Sequence, residues 1–118
     1  MGFTRIVETD CKTHDRKIAF TSQLCHVIAS ALVDSAEDSS ITAFGGGSYE
    51  DLTRIAMINA PLWTQLFCEN RENLLTHIRR FERSLENIRT LLESGKTDEL
   101  CTLLETVREK RIAMNALK

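Results

Sequence analysis

The segment GGGSYEDLTR, residues 45–54, is the part of the sequence best suited to hold an anion. Its three glycines precede a short predicted helix, whose free N-terminal amides attract a carboxylate or phosphate. Arg54 follows closely, and its guanidinium can hold a carboxylate through two parallel hydrogen bonds. The spacing matches neither the dinucleotide fingerprint GxGxxG nor a P-loop. The alternative is a flexible turn in which Arg54 pairs with Glu50 or Asp51.

A second candidate is a polar stripe on the first long predicted helix. Its members recur at steps of four, three, four and four: Asp15, Ala19, Ser22, His26 and Ser30. In a regular helix this spacing gives one face, which is either solvated or the wall of a polar cleft. His14 lies about 120° round the helix from His26, so the two cannot chelate one metal ion. We predict no metal site, and Trp63, the only tryptophan, is by default a packing anchor.

The helix that carries this stripe is predicted over residues 11–36, because apolar residues recur there at helical spacing without Gly or Pro. A loop over residues 39–48 follows. Ser48, with Asp51 at the fourth position, resembles a capping box that opens a short helix through about Ile58. Asn59, with Pro61 behind it, predicts the start of another short helix.

Two long helices complete the chain. Asn70 is predicted to cap the first of them, and Gly95 to end it. Thr97 is predicted to cap the last helix, with Asp98 and Glu99 in its first turn.

Residues 3–9 alternate in polarity and predict a short β-strand, which cannot be stable alone. The predicted fold is an all-α, five-helix, dimeric domain with this leftover N-terminal strand. It has a long first helix, two short helices and two long C-terminal helices.

Composition excludes several classes of protein. The chain has 118 residues, of which 42% are hydrophobic and 27% charged, with a net charge of −2. That size predicts one domain, and the near-neutral balance disfavours a nucleic-acid binder. There is no membrane-spanning run and no signal-peptide core, so we expect a cytoplasmic protein. The cysteines show no CxxC pairing, which predicts neither disulfides nor zinc: Cys11, Cys25, Cys68 and Cys101.

Five strings, in order, resemble the prephenate dehydrogenase family: HD (14–15), TSQLCH (21–26), GGGSYEDLTRIA (45–56), PLW (61–63) and ENR (69–71). The resemblance covers nearly the whole chain and is to the family's C-terminal helical domain, which dimerises and binds substrate. It implies that Arg54 grips a substrate carboxylate, that His26 and Trp63 line the prephenate pocket, and that Gly47 and Asp51 shape its rim near the dimer interface. His14 and Asp15 would mark where the helical domain begins.

The resemblance also shows what differs from the family. The family commonly has His and Pro where this chain has Gln23 and Cys25. Its NAD(P)-binding Rossmann domain, with the catalytic His, is absent from these residues. Residues 1–10 would be the final strand of that domain, and residues 11–118 the helical dimerisation and substrate-binding domain. We therefore expect this chain to hold no catalytic residue, to bind no NAD or NADP, and to be inactive alone.

In the family, prephenate loses carbon dioxide as hydride passes to NAD(P), giving 4-hydroxyphenylpyruvate on the way to tyrosine. Arogenate has an amine in place of the side-chain ketone, and no residue named above decides between the two substrates. A helical chorismate mutase is disfavoured, because it needs converging basic residues, and here the arginines lie among acidic residues. A non-catalytic dimerisation or tyrosine-sensing module is the other alternative. The expected partners are a second copy and the nucleotide-binding domain, with no nucleic acid and no membrane.

Overall fold

The computed structural model describes the backbone of residues 3–117 and the side chains of residues 11–41, 43 and 45–117. All regular structure in residues 3–117 is helical, as predicted for the domain. The elements are α1 (Phe3–Ile18), a π-helical turn (Ala19–Gln23), α2 (Leu24–Asp34), a 3-10 turn (Ser39–Phe44), α3 (Gly47–Thr53), a second 3-10 turn (Arg54–Ala56), α4 (Ala60–Glu69), α5 (Arg71–Glu93) and α6 (Thr97–Asn115).

The first three elements form one continuous helix. Ile18 and Leu24, on either side of the π-helical turn, both have right-handed helical dihedral angles. Within the turn, the Leu24 N–H donates to the carbonyl of Ala19, five residues back instead of four. The predicted long helix is therefore confirmed, and counting it once gives the predicted five helices. The π-helical turn inside it was not predicted.

The strand predicted over residues 3–9 is wrong, because these residues form the first turns of α1. A strand needs a neighbour to pair its backbone groups, and no other strand exists in the described part of the chain. A helix pairs those groups within itself. The β-branched residues of this segment favour a strand only weakly, and the described chain contains no sheet in which that strand could pair.

Two predicted helix boundaries are confirmed. Asn59 is the N-cap of α4, and its side-chain oxygen accepts a hydrogen bond from the Leu62 N–H at 3.1 Å. Gly95 has a φ of +66°, the left-handed conformation that ends many helices. The Lys96 N–H donates to the Leu91 carbonyl at 3.0 Å, and the Gly95 N–H to that of Leu92 at 3.2 Å. This pair of bonds ends α5.

Two predicted caps are not found. Helix α3 begins at Gly47, with extended Gly46 as its N-cap, so Ser48 lies inside the helix. Thr97 is the first residue of α6 and Lys96 its N-cap, and neither N-cap makes a side-chain capping bond. With Gly46 in the extended conformation, α3 starts at Gly47, before the position at which Ser48 could cap it.

A side chain does cap the first 3-10 turn. Asp38 accepts hydrogen bonds from the hydroxyl and from the backbone N–H of Ser40. These bonds favour the charged carboxylate and lower the pKa of Asp38, the hydroxyl contributing most.

Residues Met1–Ile78 and Arg79–Lys118 form two compact units. In the first, α2 packs against α3 and the Arg54–Ala56 turn. Among the described side chains of this unit, the buried apolar residues are Ala19, Leu24, Ala29 and Leu74. In the second unit, α6 has no buried residue, and Leu104, Val107 and Ile112 are 51%, 51% and 53% exposed.

Three findings concern membrane helices, cysteines and metal ligands. No helix within residues 3–117 is long and apolar enough to cross a membrane. The four cysteines are exposed and free, and a hydrogen bond to Glu105 raises the pKa of the Cys101 thiol. Among the described side chains, no three of His, Cys, Asp and Glu converge as metal ligands would.

Candidate functional site

Two of the residues singled out from the sequence, His26 and Trp63, are in direct contact. His26 on α2 stacks on Trp63 of α4, with ring centroids 3.8 Å apart and planes 21° from parallel. Phe67, one turn further along α4, meets the edge of the Trp63 ring at 5.8 Å. All three side chains are half-buried. The contact places an imidazole against an aromatic surface that remains partly open to solvent.

The His26 ring has a defined orientation. Its Nδ1 lies 2.8 Å from the carbonyl oxygen of Ser22, one turn earlier in the helix. A carbonyl oxygen only accepts hydrogen bonds, so Nδ1 carries a proton. No described residue is hydrogen-bonded to Nε2, which can accept a hydrogen bond from a ligand when the ring is neutral and donate one when it is charged.

Arg54 lies at the C-terminal end of α3, in the 3-10 turn that packs against α2. Its side chain is exposed. Among the described residues it forms no ion pair with Glu50 or Asp51, so the alternative of a paired, purely structural arginine is not observed. The guanidinium is therefore available to a carboxylate ligand.

The two parts of the anion site predicted from the glycine segment lie at opposite ends of α3. The N-terminal amides of α3 begin at Gly47, whereas Arg54 caps the other end of this helix. Seven positions at 1.5 Å each separate the backbones of Gly47 and Arg54 by about 10 Å along the helix axis. One anion site that uses both the amides and the guanidinium stays a prediction.

Gly47 and Asp51 are the two residues predicted at the rim of the site. Asp51 is exposed in the middle of α3. A Cβ atom added at Gly46 or Gly47 would meet nothing within 4 Å, so packing among the described residues does not require glycine there. Their predicted role at the rim of a site stays a prediction.

The predicted polar stripe is interrupted by the π-helical turn. Ala19 is fully buried, Ser22, His26 and Ser30 are half-buried, and Asp15 is exposed. Because the turn bonds residues five apart, counting at 3.6 residues per turn no longer relates Asp15 to His26. His26 is the member of the stripe that contacts Trp63.

Two residues that the sequence analysis named without a role in the site, Gln23 and Asn70, are hydrogen-bonded to each other. Gln23 is only 6% exposed, and its side-chain oxygen accepts a hydrogen bond from Nδ2 of Asn70 at 3.0 Å. The same Asn70 nitrogen donates to the carbonyl of Asp15 at 2.8 Å. The side chain predicted to cap α5 therefore links α4 to the first helix. The sequence offered one signal for this link, a polar residue, Gln23, next to Leu24 on the buried face of the helix.

A separate cavity of about 460 Å³ lies between the end of α2 and the start of α3. It is lined by Leu32, Ser35, Ala36, Glu37, Ile41, Gly45 and Tyr49. None of His26, Arg54 and Trp63 lines it, so it is distinct from the aromatic contact.

Comparison with known proteins assigns most of the chain to one family. Residues 10–106 match the family model described as "Prephenate dehydrogenase, dimerization domain". The cyclohexadienyl dehydrogenase of Zymomonas mobilis is 33% identical over 97% of this chain, and the prephenate dehydrogenase of Bacillus subtilis 26% identical over 89%. The chain covers only 40% and 30% of the length of these relatives.

Solved structures agree with this assignment. The prephenate dehydrogenase of A. aeolicus, crystallised with hydroxyphenyl propionate and NAD+, is 33% identical, with a TM-score of 0.76 over 87% of this chain and 38% of its own. The arogenate dehydrogenase of Synechocystis, at 24% identity, has a TM-score of 0.75 over 84% of this chain and 38% of its own. The second likeness shows the shared fold.

Proposed function

The chain belongs to the family of prephenate dehydrogenase dimerization domains, and we propose that it binds substrate and joins two copies of such an enzyme. The stack of His26 on Trp63 is the observation that carries this proposal. Prephenate is a dianion with an unsaturated ring and a hydroxyl group. Trp63 and Phe67 supply ring surface, Nε2 of His26 supplies one hydrogen-bonding atom, and Arg54 supplies paired donors for a carboxylate.

The role proposed for this chain in the reaction is binding and orientation. The substrate loses carbon dioxide as its ring passes hydride to the nicotinamide. Holding the substrate in one orientation lowers the entropic cost of reaching the reactive geometry. Arg54 would hold one carboxylate, and His26 would orient the ring through Nε2. The described residues do not fit a dinucleotide, because the glycines follow a 3-10 turn and not a strand. We therefore expect the cofactor and the catalytic histidine outside this chain.

We propose that α6 forms the dimer contact and that a second copy of the chain covers it. This helix has no buried residue, yet it carries Leu104, Val107 and Ile112, each about half exposed. Apolar residues at helical spacing gain free energy only when a neighbour covers them. The family model, described as a dimerization domain, extends through residue 106 and so includes the first half of α6. Both facts support a second copy as that neighbour.

Ligand titration tests the substrate-binding proposal. Trp63 is the only tryptophan, so the intrinsic fluorescence of the chain reports on the proposed site. We expect prephenate or arogenate to change this emission saturably, and Arg54→Ala to weaken the response. Arg83→Ala is the matched control, because Arg83 is also exposed and makes no ion pair in the described chain. No saturable change with either substrate would contradict the proposal.

A chimera tests the same proposal through catalysis. In it, this chain replaces the matching segment of the Zymomonas mobilis cyclohexadienyl dehydrogenase. We expect the chimera to oxidise prephenate or arogenate and the isolated chain to be inactive. Turnover by the isolated chain would refute the assignment of the chemistry to the rest of the enzyme.

A further inference from the structure

The side chains of Gln23 and Asn70 form the hydrogen-bonded link between the helix that carries His26 and the helix that carries Trp63. Gln23 closes the π-helical turn, three residues before His26. Its side-chain oxygen accepts from Asn70 Nδ2 at 3.0 Å, and its nitrogen donates to the Leu66 carbonyl at 3.4 Å. Leu66 lies three residues after Trp63. The bond to Leu66 therefore joins the turns next to the two stacked rings, and the bond to Asn70 lies one turn further along α4.

Asn70 makes this link specific. Its Nδ2 donates to Gln23 and to the carbonyl of Asp15, while its Oδ1 accepts from Nδ2 of Asn73 at 2.9 Å. Both donor positions and the acceptor are therefore used. A buried amide that loses its partner is costly, so this network tolerates few other arrangements of the two helices.

The π-helical turn explains why Gln23 reaches this position. Its wider hydrogen-bonding adds a residue to the helix, and Gln23, the last of the turn, is buried. His26 follows within one turn and faces Trp63. The segment thus serves two contacts, an amide link inside the unit and a ring stack at its surface.

We propose that Gln23 and Asn70 are positioning residues, which hold the His26 and Trp63 rings in stacking contact and so shape the surface offered to the substrate. Neither side chain needs to touch the ligand. The consequence for substrate binding rests on the proposed function, whereas the effect on the ring stack does not.

Fluorescence of the single tryptophan tests the proposal without any ligand. An imidazole in contact with an indole lowers its emission, so His26→Leu should raise the emission of the wild-type chain. Asn70→Asp keeps the size of Asn70 but removes the donor of both bonds and leaves a carboxylate oxygen facing the Asp15 carbonyl. In the Asn70→Asp chain, His26→Leu should change the emission little, because the rings are already apart. An undiminished effect of His26→Leu in that background would overturn the proposal.

Gln65→Ala provides the matched control. Gln65 is an exposed amide of α4 that bonds Glu69 of the same helix, so it links no two elements. In this variant His26→Leu should act as in the wild type. Circular dichroism checks that each variant keeps its helices. If Asn70→Asp unfolds, Gln23→Leu decides the question, since leucine fills the buried position without the amide.

Kinetics of the chimera separate this inference from the proposed function. We expect Asn70→Asp to raise KM for the substrate about tenfold and to change KM for NAD little, because only the substrate-binding surface is displaced. If the substrate binds and Asn70→Asp leaves both the emission and KM unchanged, the positioning role fails and the proposed function stands. If Asn70→Asp removes the effect of His26→Leu on the emission but the wild-type chain binds no substrate, only the proposed function fails.

Discussion

Replacing Arg54 with alanine in the chimera gives the sharpest prediction about the site. The structure places Arg54 in an exposed turn without an ion pair among the described residues. Its removal should therefore leave the free energy of unfolding within about 0.5 kcal/mol of the wild type. The effect is expected on substrate binding alone.

The expected loss follows from the kind of bond. Hydrogen bonds to a charged group contribute about 1.5 to 3 kcal/mol, and an exposed arginine belongs in the lower half of that range. A loss of about 2 kcal/mol raises KM about 30-fold. Lysine at this position should recover part of the loss, because an ammonium restores the charge but not the planar pair of donors.

Initial-rate kinetics with varied prephenate and a thermal melt of the same variant check both expectations. The change should be confined mainly to KM, with kcat little altered. Arg83→Ala should change neither KM nor Tm. An unchanged KM for Arg54→Ala would refute the carboxylate-binding role, and a large fall in Tm would show that Arg54 acts structurally.

Four further predictions concern other features. In the chimera, His26→Asn should raise the substrate KM only about fivefold and leave KM for NAD unchanged. This factor corresponds to the roughly 1 kcal/mol that a neutral hydrogen bond contributes. Gly95→Ala should destabilise the chain by about 1 kcal/mol in a thermal melt, because its φ is +66°, whereas Gly47→Ala should not. Leu104→Glu should convert dimer to monomer in sedimentation velocity, and Thr106→Glu should not; a wild-type monomer at micromolar concentration would contradict the dimer. Calorimetry should detect no saturable binding of NAD to the isolated chain, and measurable affinity would refute that expectation.

The helical fold could be predicted because a few residues mark its boundaries by local chemistry. Asn59 caps α4 with its own side chain, and Gly95 ends α5 with a backbone conformation that other residues avoid. Both effects act within one helical turn, so sequence alone reveals them. Ser48 failed as a cap for an equally local reason, because the preceding glycine starts α3 earlier.

The segment over residues 3–9 shows where a local pattern is insufficient. Alternation over seven residues predicts a strand only if a sheet is present to pair with it. Without a partner strand in the described chain, the backbone pairs within a helix. The assignment of residues 1–10 to a nucleotide-binding domain stays a prediction.

The candidate site depends on contacts between residues distant in sequence, and these could not be predicted from spacing. The Gln23 to Asn70 bond joins residues 47 positions apart, and the π-helical turn that places Gln23 has no distinctive composition. The resemblance to the family grouped His26 with Trp63, but the stacking of the two rings became visible only in the structure.

The exposure of α6 has a thermodynamic consequence for the whole chain. A helix that buries no residue gains little from packing, and helix formation in water is marginal without such contacts. If a second copy supplies them, the order of α6 is linked to association by mass action. The midpoint of thermal unfolding should then rise with protein concentration, and dilution should first remove the protection of the α6 amides against hydrogen exchange. Stability would be a property of the concentration as well as of the sequence.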